Sequence, residues 1–536
     1  MPPGIKLYVP DNPWQNCHEN FTHQFTPGAS WRPDHSGSGL SDSELYKRAT
    51  ANLQWAIKQA VDNRHTLRAI GANWSFAPVA MCNGGMIQTK GLDLIFNVGA
   101  THVSPAYTGT GKTHQDLKLV ECGVQMARLN KALEIDSHPA RCIRASGGSN
   151  GQTIAGATAT GTHGAALYTG AVHDTIVGIH LITGPDTHVW LERASYPVAS
   201  DKLIEWLGAT PLRDDALFNS ALVSFGSFGI IHGIMLETEP LYLLKEYRIG
   251  NIVYTDELMD AFATLDTDRL KTLLPGMPDN TAGHELYHME INMNPYTVTK
   301  GGNTGMYVFL FYKVPVPAGH VVSHGGIHDP APSPEFIWMM KNLLTALGED
   351  LSYNHVRNTT TREFEKNIRP ATDIPKSIGS IFRDTRFTGN IASFALAVAT
   401  IDLPRCLDQI LEEISVNAFA GAVAVRFVKG TKATLGFTKF EHTCVVEMDG
   451  LDSKANHKVF ANVIRRLELN NIPYTIHWGK LNGPLNADRV KKIYGSDKLR
   501  EWKLSRERLL APEVLAVFNN DFMIRCGLDT PADAIV

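Results

Sequence analysis

Residues 144–166 read RASGGSNGQTIAGATATGTHGAA, a run built almost wholly from small side chains. A backbone this bare can lie close against a large flat ligand. Gly147, Gly148 and Gly151 are free to take angles that other residues resist, and they expose N–H groups able to cradle phosphate oxygens. Ser146, Ser149, Thr158, Thr160 and Thr162 add hydroxyl donors beside them.

Three other patterns resemble known chemistry and fail on their surroundings. His284-Glu-Leu-Tyr-His288 has the spacing of a zinc-protease helix. The residues around it alternate, however, with Tyr287, Met289, Ile291 and Met293 on one side and Leu286, His288, Glu290 and Asn292 on the other. That is a strand, along which four residues span roughly 13 Å, too far for joint chelation. His324-Gly-Gly-Ile-His328 reads as a flexible loop, so no metal site is expected. Gly109-Thr-Gly-Lys-Thr113 imitates the end of a phosphate loop, but Ala106 stands where the first glycine belongs. A strand-like segment follows it, so a hairpin turn is expected.

A length of 536 residues calls for two or more cores. With 43% hydrophobic and 19% charged residues, the composition is that of an ordinary globular enzyme. A net charge of −4 offers nothing to attract nucleic acid or an anionic membrane. The N-terminus lacks the apolar core of a signal peptide, and no run suits a transmembrane helix. Seven scattered cysteines without a C-x-x-C pair suit reduced thiols in the cytoplasm.

Elements can be placed by periodicity. Leu45, Ala49, Leu53, Ile57 and Val61 recur at helical spacing, predicting a helix over residues 42–62 started by Ser41 or Asp42. Residues 20–40 read as loop. Short strands are predicted at 66–70, 86–98, 117–123 and 175–183, and again at 306–314, 391–401 and 422–428. A helix is predicted at 403–414. The pattern is α+β.

Taken in order, four segments resemble the vanillyl-alcohol-oxidase (PCMH) type of FAD-binding oxidoreductase, nearest its aldonolactone, alditol and sugar oxidases. Leu67-Arg-Ala-Ile-Gly-Ala-Asn-Trp-Ser-Phe stands where the family has a strand followed by G-x-G-H-S. Residues 144–164 are similar to its S-x-x-D-Q-(S/T)-I-A-G-A-x-x-T-G-T-H-G. Phe218 to Gly233 matches the region closing the FAD domain, and His477-Trp-Gly-Lys480 resembles a terminal H-W-(A/G)-K. The resemblance implies an FAD domain over residues 1–240 and a substrate cap with an antiparallel sheet over 241–455. A C-terminal segment, 456–536, would return to the FAD domain.

FAD would lie against Arg68, Gly71, Ala72, Asn73, Trp74 and Ser75 from the first motif. From the second come Ser146, Gly147, Gly148, Ser149, Asn150, Gln152, Gly156, Thr160, Gly161, Thr162 and His163, joined by Ile230, Ile231 and Lys480. Many relatives bind the flavin covalently through the histidine of the first motif. Trp74 stands there, so non-covalent FAD is expected.

A second departure lies in Ala422-Val-Ala-Val-Arg-Phe, where the family has Glu-x-Arg: Arg426 remains and Ala424 replaces the glutamate. Glu290 and Glu447 are candidates to replace it. Phe427 and Phe437 suggest a less polar pocket. Lys480 and Arg426 would stabilise charge, and His477 would accept a proton. The implied activity is hydride removal from a sugar, lactone or other alcohol, with oxygen or another acceptor reoxidising the flavin. The alternatives are C–H oxidation or oxidative coupling of a hydrophobic metabolite, and a non-catalytic flavin- or ligand-binding protein.

Overall fold

The computed structural model describes the chain except residues 37–38, 325–338, 340–341, 344, 349–350, 383–388 and 535–536. Residues 325–328 of the predicted loop that starts at His324 therefore lie outside the described residues.

Helix α1 (Asp42–Asp62) runs between the expected ends. Ser41 caps it, accepting from the Glu44 N–H while the Glu44 carboxylate accepts from the Ser41 N–H. Such a box stabilises a helix start by about 1 kcal/mol. Its stripe of Leu45, Ala49, Leu53 and Ile57 is buried. The following strand, β1 (Leu67–Ile70), runs parallel to β2 (Gly85–Gln88), and β2 runs parallel to Trp31–Pro33. Ile5–Leu7 completes this four-stranded sheet. The 20–40 region is thus not all loop, because Trp31 enters the core.

The predicted strand over 86–98 is two strands in two sheets. After β2 the chain turns through Thr89–Gly91 and starts β3 (Ile95–Asn97), at the edge of a six-stranded sheet. Lys90-Gly91 breaks the apolar run, and a side chain at Gly91 would press on the Pro33 carbonyl. β3 pairs antiparallel with β4 (Leu117–Glu121). The Gly109–Thr113 segment between them is not a hairpin turn. It closes a short helix, Pro105–Thr108, and leads into the turn His114–Asp116. Its Lys112 is held by Glu237 and Tyr196.

A short helix, α2 (Ile154–Ala159), carries the second half of the glycine loop. The fully buried strands β5 (Ile176–Ile182) and β6 (Ile230–Glu237) form the middle of the six-stranded sheet.

An eight-stranded sheet follows. In chain order its main strands are β7 (Leu243–Ile249), β8 (Glu285–Met293), β9 (Met306–Val314) and β10 (Ile391–Ala399). The amphipathic helix α3 (Leu403–Val416) then leads to β11 (Gly421–Lys429) and β12 (His442–Leu451). Across the sheet the order is β7-β9-β8-β11-β12-β10, with Ala371–Thr372 outside β7. The predicted strand over 391–401 stops at Ala399, where Thr400–Asp402 turns into α3. Helix α4 (Lys454–Leu469) packs on α3. The chain then returns as β13 (Thr475–Ile476), antiparallel to the outer edge of β10. The C-terminal motif thereby becomes the rim of this sheet.

His284 and His288 lie along β8 and its approach, with separate partners: Tyr247 for His284 and Glu290 for His288. Among the described residues no group of three His, Cys, Asp or Glu side chains is placed to hold a metal ion. No described helix is long and apolar enough to cross a membrane.

Candidate active site

The glycine loop, the 71–76 loop and the C-terminal motif meet around one cavity. Gly71 to Phe76, Gly148, Ser149, Gln152, Gly156, Thr160, Thr162, His163, Ile231, Arg426, Glu447, His477 and Lys480 all line it. Backbone bonds hold the three segments together. The Phe76 N–H donates to the Gly479 carbonyl at 2.8 Å, and Gly479 packs on Thr160. The His477 and Leu481 N–H groups donate to Ala395 and Ser393 of β10.

Close approach, rather than unusual angles, explains most of the glycines. Gly147, Gly148 and Gly151 do not have positive φ; in this loop only Gly161 does, at 76°. A Cβ on Gly147 would sit 2.9 Å from the Thr162 methyl, and one on Gly148 would sit 3.3 Å from the Arg426 guanidinium. At Gly164 it would overlap the Ser146 carbonyl oxygen. Gly164→Ala should therefore destabilise the fold by about 1–3 kcal/mol. A lower Tm and weaker flavin retention, measured together, check this.

The sheet face opposite carries the charge. Arg426 on β11 is flanked by two carboxylates from the neighbouring strands. Its Nε donates to Glu290 Oε2 at 3.1 Å, and its Nη1 forms an ion pair with Glu447 Oε2 at 3.0 Å. Register explains the arrangement: Glu290 lies opposite Arg426 on β8, and Glu447 lies opposite Ala424 on β12. The carboxylate missing at Ala424 is thus presented from the next strand. Lys480 Nζ binds Glu447 Oε1.

Burial alone would raise both carboxyls. Arg426 and His288 nevertheless bring Glu290 down to about 2, while Arg426 and Lys480 hold Glu447 well below the usual range. Burial would also lower Arg426, yet the same two carboxylates keep it firmly protonated.

His477 is not placed as a proton acceptor. Its Nδ1 accepts from the Gly479 and Lys480 N–H groups at 3.0 and 3.2 Å, and its ring also bonds to the Gly161 backbone. Burial, with His163 and Lys480 nearby, holds it well below its ordinary value, so it stays neutral. It clasps the C-terminal motif to the glycine loop. Burial likewise pushes His163 down to about 4; its Nδ1 donates to the Gly164 carbonyl.

Several other expected residues lie off the cavity. Arg68 is fully buried behind it, donating to the carbonyls of Phe518 and Phe225. Ser146, Gly147, Asn150, Gly161 and Ile230 support the lining without forming it. Thr158 turns its hydroxyl to the Ile154 carbonyl inside α2. Phe427 stacks on Phe262, and Phe437 packs behind His163 and His477, so neither makes the pocket less polar. Cys142 is buried between short strands beside Pro240.

One wall was not anticipated. The N-terminal segment lays Trp14, Asn16, His18 and Phe21 along the cavity. Asn16 donates to the Ser75 carbonyl, His18 Nε2 to that of Trp74, and Asn20 to that of Phe76. His18 also stacks on Phe76, with ring centres 4.1 Å apart. Side-chain amides that satisfy a loop's carbonyls leave no periodic trace in sequence, and the Asn-Cys-His-Glu-Asn run was the sole available hint.

FAD fits this cavity. Among the described residues, Asn73 Oδ1, Trp74 Nε1 and Gln152 Oε1 are buried on its lining without a hydrogen-bond partner, a state that normally marks a missing ligand or water. Asn73 holds a φ of 63°, which asparagine tolerates and which turns the loop into the cavity.

The whole-chain architecture has solved counterparts. Cholesterol oxidase from B. sterolicum superposes with a TM-score of 0.63 over 98% of this chain and 98% of its own, at 14% identity. Chitooligosaccharide oxidase does so at 0.56 over 92% and 90%, at 11% identity. The chain has the vanillyl-alcohol-oxidase fold. Within the curated proteins, the L-gulono-1,4-lactone dehydrogenase of Mycobacterium tuberculosis is 28% identical over 213 residues, 40% of this chain. The chain spans about two-fifths of the length of that relative (41%). No family model matches.

Proposed function

We propose that the protein is an FAD-dependent oxidoreductase that removes a hydride from the CH–OH group of a sugar, lactone or related alcohol, with oxygen or another acceptor reoxidising the flavin. The observation carrying this reading is the buried Glu290–Arg426–Glu447–Lys480 network facing the glycine loop across one cavity. Residues 1–240 and 456–536 would form the FAD unit and 241–455 the cap. The relatives named as lactone dehydrogenase and chitooligosaccharide oxidase support a polyhydroxylated donor. So does the return of a carboxylate opposite Ala424.

Asn73, Trp74, Gln152 and the glycine loop would hold FAD, which supplies the two-electron acceptor when bound. Trp74 would pack against it without a bond. Arg426 and Lys480 would supply positive charge where an alkoxide develops. His477 fixes the lysine's backbone. Six of the seven cysteines are buried thiols, which supports a reducing, cytoplasmic location.

Anaerobic addition of donors to the flavin-loaded protein tests the reading. Aldonolactones, alditols or sugars should bleach the flavin absorbance. A second reading, oxidation of an apolar alcohol, draws support from the aromatic wall of Trp14, Phe21, Trp74 and Phe76 and would be favoured if only apolar donors bleach it. A flavin that every donor leaves oxidised, while dithionite reduces it, would overturn both.

A further inference from the structure

The cavity face of the cap sheet carries one more carboxylate than it has cations. Arg426 and Lys480 are taken by Glu290 and Glu447. Asp449 stands two residues beyond Glu447 on β12, hence on the same face, and lines the cavity. Ser393 on β10 lies directly opposite and donates to Asp449 Oδ1 at 2.5 Å. Among the described residues that is the one hydrogen bond to this carboxylate, and no cation pairs with it. The Leu481 N–H fixes the Ser393 backbone in turn, tying this pair to the segment that carries Lys480.

Resting on the function proposed above, we propose that Asp449 is the base that takes the proton of the substrate's hydroxyl, with Ser393 its positioning residue. The other basic groups at the cavity are committed. Glu290 and Glu447 are neutralised, His477 is bound through its ring to the backbone, and His163 is half spent on Gly164. Asp449 Oδ2 is left for the substrate. In the transfer, the O–H bond breaks, its proton goes to Oδ2 and its electron pair becomes the carbonyl π bond. The carbon-bound hydrogen leaves with its pair to an oxidised flavin, so the alcohol loses two electrons and the flavin gains two.

Charge and burial favour this role. Burial raises the Asp449 carboxyl above the ordinary range, and Glu447 adds to that against the opposing pull of Lys480, Ser393 and Arg426. Those four groups are the ones that act on it. A carboxyl raised in this way is a stronger base than a surface aspartate.

The test uses FAD-loaded wild type, Asp449→Asn, Asp449→Glu and Ser393→Ala, with any donor that bleaches the wild type. Asp449→Asn should keep the flavin spectrum but reduce about 10²–10⁴-fold more slowly. The wild-type rate should climb with pH as the base ionises, and Asp449→Asn should lack that limb. Asp449→Glu should keep the limb at a lower rate. Ser393→Ala should move it to higher pH, since the lost hydrogen bond favours the ionised form. Infrared spectra of the same holoproteins should show a protonated-carboxyl band that appears across that limb and is missing from Asp449→Asn. Wild-type rates in Asp449→Asn, or a band that persists there, would overturn this proposal alone. A wild type that no alcohol bleaches would overturn the reading beneath it.

Discussion

Glu447→Ala is expected to destabilise the protein by about 3–5 kcal/mol, the cost of breaking a buried ion pair from one side. The residue is 2% exposed and touches both Arg426 and Lys480. Its removal leaves Lys480 without its carboxylate and Arg426 with Glu290 alone. Urea unfolding would measure the loss. Glu447→Gln should fall between wild type and Glu447→Ala, because its single amide oxygen can accept from only one of the two cations and the charge is gone. Adding Lys480→Met to Glu447→Ala should restore part of the stability, since one stranded charge is then gone. Strictly additive losses in the double variant would contradict the network. Activity should be lost in Glu447→Ala even where the protein remains folded, because Lys480 would no longer be aimed at the cavity.

Arg426→Met is expected to be as damaging at neutral pH, with a distinctive pH dependence. In the wild type Glu290 is lowered from 4.5 to about 2. A depressed carboxyl stabilises the fold fully above its unfolded value and loses that contribution as pH falls through the folded one. The wild type should therefore weaken between about pH 4.5 and 2. Without Arg426, Glu290 keeps only His288 and Glu447 only Lys480 and His163 against burial, which raises them. They then penalise the fold when ionised and less when protonated. The gap in Tm between wild type and Arg426→Met should be widest near neutrality and narrow toward acid pH. A gap that stays constant would show that Arg426 acts through packing alone.

How much of this was legible in the sequence depended on range. Helix α1 was readable because its capping box and apolar stripe are local. β9 was readable from its apolar run Met306 to Tyr312. The split of 86–98 between two sheets was not, since the break is a single Lys-Gly whose partner, Pro33, lies far back in the chain. The departure at Ala424 was visible, while its remedy depends on register: Glu447 is opposite Ala424 only because β11 and β12 pair as they do. No spacing within one strand encodes that. His477 was recognisable by type and misassigned in role, because the backbone N–H groups that occupy its Nδ1 belong to a turn only the fold reveals. Asp449 escaped notice for the same reason, since its meaning comes from Ser393 across the sheet.

The proposed activity needs FAD held without a covalent bond between the glycine loop and the Lys480 segment. The absorbance spectrum of the purified protein, taken before and after acid precipitation, tests this most directly. A flavin spectrum that passes into the supernatant on precipitation is the expected result. Colour retained in the pellet would contradict the role given to Trp74, and a colourless protein that added FAD cannot reconstitute would contradict the cradle itself.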